Sequence, residues 1–517
     1  MMFFFALFLM LNTTFAQTAK PRVLYICSVC DQYQMASTED QLTQAAQRAG
    51  VGVLKLGDVS EYTEYNHYKK ANPGAQIGNL TPIKSVKLPY NSNTWPKNDK
   101  EASQRRQQFA TAKAEWMDQI TDQLKKLDKT KPLVLHMGNH GLNPGDDKKA
   151  SEASFMCMYG STAHTAGECI SYAEFGQLME KAGLTGDKAP PVRIVGDHCY
   201  GGGVHYLATK FANVCTASIV SAKTAQYSPG TTDFDGKISG TTGIDAFGAT
   251  FWRNVKQKGS QANLADSYNS AWSTVPVGDE PGGTLSSIYY VQQVMGLSDK
   301  DLPTEQRLPA LGQLERSFLE VDRLYYEGQY NYSKYKGIDS YRKPEYSCNM
   351  AAPSVMQQLV NLGKISNSLG LANSNNIYSQ ALVRAKDPKF MKSAQQNKAE
   401  LEKCYKVAQN IYDKSTAEVK AYIEKSKWSA EFFWKFESSV DRTKAQFRRT
   451  KEREMAGKVL TDLKSCVEKK SVGVREYLNT ITTLNRLEQL EAFSKKATTA
   501  QKAEFRKKVA CESGSLF

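Results

Sequence analysis

The sequence predicts an α/β protein: a parallel-rich sheet flanked by helices on both faces, followed by an α-helical C-terminal domain. Three observations carry that expectation. Short Val/Ile/Leu-rich runs, the composition of strands buried on both faces, recur between segments of helical periodicity. The intervals between these runs are long enough for crossover helices, which parallel pairing requires. From about residue 301 the β-branched runs give way to helical patterns.

Met1 to Ala16 carries no charge and runs through Phe3–Leu11 before Thr14-Phe15-Ala16. It reads as a signal-peptide core with cleavage after Ala16, so the protein is expected to be secreted or periplasmic. The run is too short to span a bilayer. Arg22–Ile26 is then the first strand, and Ser37 caps a helix that Gly50 stops near Ala49. Val51–Leu56 is the second strand, with a polar loop to about Asn98. Phe109, Ala112, Trp116, Ile120 and Leu124 recur at helical spacing within 101–127. Lys131–Gly141 is the third strand, ending in His-Gly, and a Gly/Ser/Thr-rich loop follows between Cys157 and Cys169. Tyr172–Ala182 is a short helix closed by Gly183. The fourth strand starts at Pro191 and runs into Asp197-His198-Cys199, with a helix opening near Gly203. Asn213–Ile219 is the fifth. Ser228 to Gly243 reads as a surface loop, Ala246–Lys256 as helix, and the chain loosens through Pro276, Pro281 and Gly282-Gly283.

These patterns divide the chain into a signal peptide (1–16), an α/β domain (17–300), a connector (301–346) and a basic helical domain (347–517). In the last, Leu484, Leu487 and Leu490 share a face with Leu478 and Ile481, Pro353 fits a first helical turn, and Gly370 fits a helix end. Hydrophobic residues at 41% and charged residues at 23% place the chain among globular proteins. The net charge is +14, of which residues 301–517 carry +12. That asymmetry suits an anionic surface or polymer as a partner of the basic helices, or simply solvated helix faces; no stable nucleic-acid partner is expected. Ten cysteines in an exported chain suggest disulfides. Cys157 with Cys169 is the expected local pair. Cys348, Cys404, Cys466 and Cys511 are expected to pair among themselves, while Cys27 and Cys215 read as small buried core residues.

The chemistry gathers where the third and fourth strands end. Functional residues of open α/β sheets lie at that carboxyl edge. If these two strands are neighbours, His140 and Cys199 face each other as base and nucleophile. Gly201-Gly202-Gly203 lets a substrate backbone approach without Cβ interference. The backbone N–H groups of Gly141 and Cys199 are the natural oxyanion donors.

At these residues the chain resembles the caspase-like (clan CD) cysteine peptidases, in which one apolar strand ends in His-Gly and a later one in Cys. Gly138-Asn139-His140-Gly141 is similar to the metacaspase Ser-Gly-His-Gly, and Asp197-His198-Cys199-Tyr200-Gly201-Gly202 to its Asp-Ser-Cys-X-Ser-Gly. Cys215-Thr216-Ala217-Ser218 resembles the Thr-Ala-Ser strand of legumain-like members. The resemblance covers residues 20–260. It implies a caspase-like fold and an endopeptidase acting on protein or peptide substrates, with Cys199 as nucleophile and His140 as acid/base. It implies that Asp197, with Ser218 and Asp31 as further substrate-binding residues, favours a basic P1 side chain. No cofactor is implied, and calcium dependence is left open. His198 departs from the family in replacing a small residue.

Three other readings compete. A tyrosine-phosphatase loop would need Arg where His205 stands. Zinc would need His136 and His140 on one helix face, yet their segment reads as strand, and no Glu follows His136. His136, His164 and His205 are therefore expected to be structural or surface residues. The third is a catalytically silent caspase-fold binding or adhesion protein that uses the basic helical half.

Overall fold

The computed structural model describes residues 19–27, 33–57, 63–83, 99–138, 140–142, 155–157, 169–198, 201–218, 247–271, 281–286, 290, 353–372, 375–390 and 490–517, with scattered helical positions between 392 and 488. The leader (1–16), the connector (301–346), Asp31, His164 and Cys199 lie outside them.

A seven-stranded sheet organises the fold, in the order β10-β9-β8-β4-β1-β2-β3. Its strands are β1 (Pro21–Cys27), β2 (Gly52–Gly57), β3 (Thr81–Pro82), β4 (Leu133–Gly138), β8 (Val192–Asp197), β9 (Val214–Ser218) and β10 (Gly282–Gly283). All neighbours pair in parallel except β10, which runs antiparallel to β9 at the edge. Taken in chain order, the five long strands lie 2-1-3-4-5, a doubly wound arrangement with its switch point between β1 and β4.

The sequence's alternation decides what covers each face. Leu133, Leu135 and Met137 of β4 join Val192 and Ile194 of β8 in one core with Trp116, Ile120 and Leu124 of α3 (Asp99–Lys125) and Phe175 and Leu178 of α4 (Tyr172–Lys181). Leu207 of the short helix α5 (His205–Lys210) completes that layer. The alternate residues, including Tyr25, His136, Arg193, Asp197 and Cys215, face the other layer. There lie α1 (Tyr33–Arg48), α6 (Phe247–Lys258), α7 (Leu264–Ala271) and the C-terminal α10 (Thr499–Ser513).

The expected α/β architecture is present, with four local differences. First, the stretch expected to be loop before Asn98 holds α2 (Thr63–Ala71) and β3. Its polar sequence hides two tyrosines three apart: Tyr65 and Tyr68 pack on Ala36, and Tyr68 donates to Asp40 at 2.9 Å. Second, α1 begins at Tyr33, so Ser37 is an interior residue rather than a cap. Third, the third strand stops at Gly138, and His140 belongs to a separate antiparallel ribbon of β5 (His140–Leu142), β6 (Phe155–Cys157) and β7 (Cys169–Ser171). The ribbon sets Cys157 opposite Cys169 and hands the chain to α4 through Ser171, whose side chain caps the helix while Glu174 reaches back to it. Fourth, Gly282-Gly283 is a strand. Only glycine fits at Gly283, where a Cβ would stand 2.5 Å from Tyr268 and 2.6 Å from Glu512.

Cysteine pairing also differs from expectation. Cys215 is not a free core thiol, and Cys511 does not pair within the helical half: the two form a disulfide across 296 residues. Cys27 is disulfide-bonded as well, as is Cys169, each to a sulfur outside the described side chains. The Cys215–Cys511 bond fixes α10 to the sheet. Lys508 reinforces it, its ammonium donating to the carbonyls of Phe211, Ala212 and Val214 at 2.5, 3.1 and 2.7 Å. Other helices of the C-terminal half are α8 (Pro353–Ser368), which starts at its proline, and α9 (Ile377–Ala385). Gly370 follows α8 with φ +73°, as a helix stop requires. Tyr378 of α9 donates to the Leu285 carbonyl, and Gln380 to Asp266 of α7, each at 2.5 Å.

Candidate functional site

The carboxyl ends of β1, β4 and β8 reach the same edge in step. Gly138 pairs with Cys27 on one side and Asp197 on the other. In sequence His140 follows Gly138 by two residues, at the start of β5, and Cys199 follows Asp197 by two, outside the described residues. Gly138 is required by close packing: a Cβ there would stand 2.8 Å from Met35 Sδ. Gly141 sits in β5 opposite Met156.

Beyond β8 the chain turns tightly, the Gly201 N–H donating to the His198 carbonyl at 3.0 Å across residues 199–200. A 3₁₀ turn, Gly201–Val204, then leads into α5. Two glycines permit this. A Cβ on Gly201 would lie 3.0 Å from the Gly196 carbonyl, and one on Gly196 would lie 3.3 Å from the Gly201 carbonyl. His198 is buried, its Nε2 2.5 Å from the Tyr172 hydroxyl, and the rings stack at 6.0 Å. Burial drives the Tyr172 pKa up, so its hydroxyl is the donor and His198 carries its proton on Nδ1 when neutral.

Asp197, on the opposite face from His198, is 5% exposed. Its Oδ2 lies 3.5 Å from His136 Nε2. Trp252 Nε1 donates to His136 Nδ1 at 3.1 Å, which leaves the neutral ring's proton on Nε2, toward Asp197. At 3.5 Å that approach is electrostatic rather than a made hydrogen bond, and Nε2 has no hydrogen-bond partner. Two further buried hydroxyls, Ser37 Oγ and Thr38 Oγ1, also lack one. Gly248, in the first turn of α6, closes over this group. A Cβ there would stand 2.2 Å from Asp197 Oδ2 and 2.6 Å from Thr38 Oγ1. Tyr25, beside His136, donates to the Met35 carbonyl at 3.2 Å; burial first, then the Glu39 and Asp197 charges, raises its pKa well above the usual tyrosine value.

Of the expected site residues, Asp197 is at this edge, buried beneath α6. Ser218 ends β9 on the other face and is fully buried, its hydroxyl 3.3 Å from His205 Nε2. His205 bonds Thr216 at 2.7 Å through Nδ1 and is a core residue, as is His136. His136 lies in the main sheet and His140 in the ribbon, and no group of three His, Cys, Asp or Glu among the described residues could hold a metal. Sequence reading missed Trp252, Thr38 and Gly248 around Asp197. The signal for His136 was present, since it alternates with Leu135 and Met137 and so faces away from their core.

No helix among the described residues is long and apolar enough to cross a membrane. A scan against protein-family models gives no match, and no curated protein matches the chain.

Proposed function

We propose that the chain is an exported cysteine endopeptidase of caspase-like fold, with Cys199 as nucleophile and His140 as acid/base. The observation that carries this reading is the direct parallel pairing of β4 with β8, Gly138 opposite Asp197. It supports the reading by bringing the strand ends that precede His140 and Cys199 in sequence together at the edge where open α/β sheets do their chemistry. In the reaction, the Cys199 thiolate adds to the scissile carbonyl, and the N–H groups of Gly141 and Cys199 receive the oxyanion. His140 gives the leaving amine its proton, and water then hydrolyses the thioester with His140 accepting a proton. Preference for a basic P1 residue rests on the family resemblance, since Asp197 is buried beneath α6. The leader supports export, and the basic helices supply an anionic-surface contact.

The test is cleavage of fluorogenic peptides ending in Arg, Lys, Asn or Asp by the purified protein beside Cys199→Ala and His140→Ala. The proposal expects both variants to be inactive, Arg and Lys peptides to be preferred, and an alkylator to label Cys199. Variant rates equal to the parent's would end it.

A further inference from the structure

The opposite, amino-terminal edge of the sheet carries a second feature. A cavity of about 880 Å³ opens there, where β1 and β4 begin and α1 and α6 end. Lys20, Arg22, Arg48, Lys131 and Lys258 all line it, against one acidic side chain, Asp128. Gly50 brings the end of α1 round with φ +65°, a conformation side chains resist. The Phe517 ring, stacked on Trp252 at 6.3 Å, forms part of the wall.

Cations often gather at helix C-termini to offset the exposed carbonyls. That accounts for Arg48 and Lys258, in the last turns of α1 and α6. Lys258 is also engaged by Asp266 at 2.5 Å. It does not account for Lys20 and Lys131, which precede strands, or for Arg22, near the start of β1, where the net dipole is small. Among the described residues no carboxylate forms an ion pair with Lys20, Arg22, Arg48 or Lys131. Asp128 Oδ1 accepts from Thr130, at 3.2 Å from the amide and 2.7 Å from the hydroxyl. Its carboxyl is held low by those bonds first and by Lys20 and Arg22 after them.

We propose that this cavity binds a compact polyvalent oxyanion of the phosphate- or sulfate-ester class. The volume is that of a small-molecule site. Two guanidinium forks match tetrahedral oxyanions bidentately, and the lysines add point charges. An anion here relieves the mutual repulsion of Lys20, Arg22, Arg48 and Lys131, which have no ion-pair partner among the described residues. The site lies at the opposite edge of the sheet from Gly138 and Asp197 and does not depend on the peptidase reading.

Titration calorimetry of the full chain, with tripolyphosphate in one arm and a trisulfated disaccharide in the other, tests this. The proposal expects saturable binding at one site, weakening as salt rises. Arg22→Gln/Arg48→Gln is expected to lose roughly tenfold or more in affinity. Lys364→Gln, an exposed position on α8, is expected to bind as the parent does. Preference for either probe supports the site and names the source of the oxyanion. Absence of saturable binding to both probes, or equal weakening in both variants, overturns the proposal. Should the double variant fail to melt cooperatively, the exposed Lys131→Gln replaces it. A loss of about threefold is expected there, and unchanged affinity overturns the site.

Discussion

Cys511→Ser removes the bond that ties α10 to β9 and leaves Cys215 as a buried thiol, a state cysteine tolerates well. The bond closes a separation of 296 residues. Chain-entropy reasoning gives about 5.5 kcal/mol for a loop of that size, and residual compactness of the denatured chain lowers the expectation to about 3–4 kcal/mol. The native contacts of α10 with the sheet are otherwise kept, since the three Lys508 bonds and the Arg193 Nε bond to the Cys511 carbonyl at 3.2 Å do not need the sulfur. The loss should therefore come mainly from the unfolded side. Urea unfolding followed by tryptophan fluorescence reads it directly, because Trp252 lies in the same layer. The midpoint should fall, and the slope should rise as the freed chain exposes more surface. A loss below about 1 kcal/mol with an unchanged slope would refute the claim that this bond constrains the denatured ensemble.

Gly248→Ala should cost about 2–3 kcal/mol by thermal melt, because its methyl group meets the buried Asp197 and Thr38 side chains; a neutral melt would show that α6 does not seal this edge. Glu512 is fully buried, and desolvation raises its pKa to about 7 against the bonds from Leu285, Tyr268 and Thr284 and the Lys508 charge. The folded state thus keeps a proton that the unfolded state releases, so the contribution of Glu512 to stability should be greatest below about pH 4.5, fall between about 4.5 and 7, and level off above. Glu512→Gln should remove that slope, and denaturant midpoints measured across the range check it. Tyr172→Phe removes the hydroxyl from buried His198 and should cost about 1 kcal/mol by urea denaturation; no change would show that the contact contributes nothing to folding.

Much of the sheet was legible because parallel strands buried on both faces leave an unambiguous apolar signature. Val192–Asp197 and Leu133–Gly138 needed no partner to be recognised. What escaped depends on distant chain. Gly282-Gly283 has no strand propensity; it pairs because a backbone stripped of side chains is all that fits between β9, Tyr268 and Glu512. Helix α2 is polar, and its stability comes from tyrosines whose hydroxyls meet carboxylates on α1. The sulfur of Cys215 looked like ordinary core because its partner sits in a helix 296 residues away, a pairing that spacing cannot disclose. At the candidate site the ends of β4 and β8 were readable, whereas the enclosure of Asp197 by Thr38, His136, Gly248 and Trp252 draws on three elements that only folding assembles.

The link from β9 to α10 also sets a timetable. A ribosome adds about 5–20 residues each second, so the 296 positions separating the two cysteines take about 15–60 s to synthesise. Throughout that interval the flank of β9 that α10 will seal waits uncovered, and its sulfur can be captured by any earlier cysteine. The native cross-link can therefore close only after that interval, and the cover it fastens over β9 arrives with it.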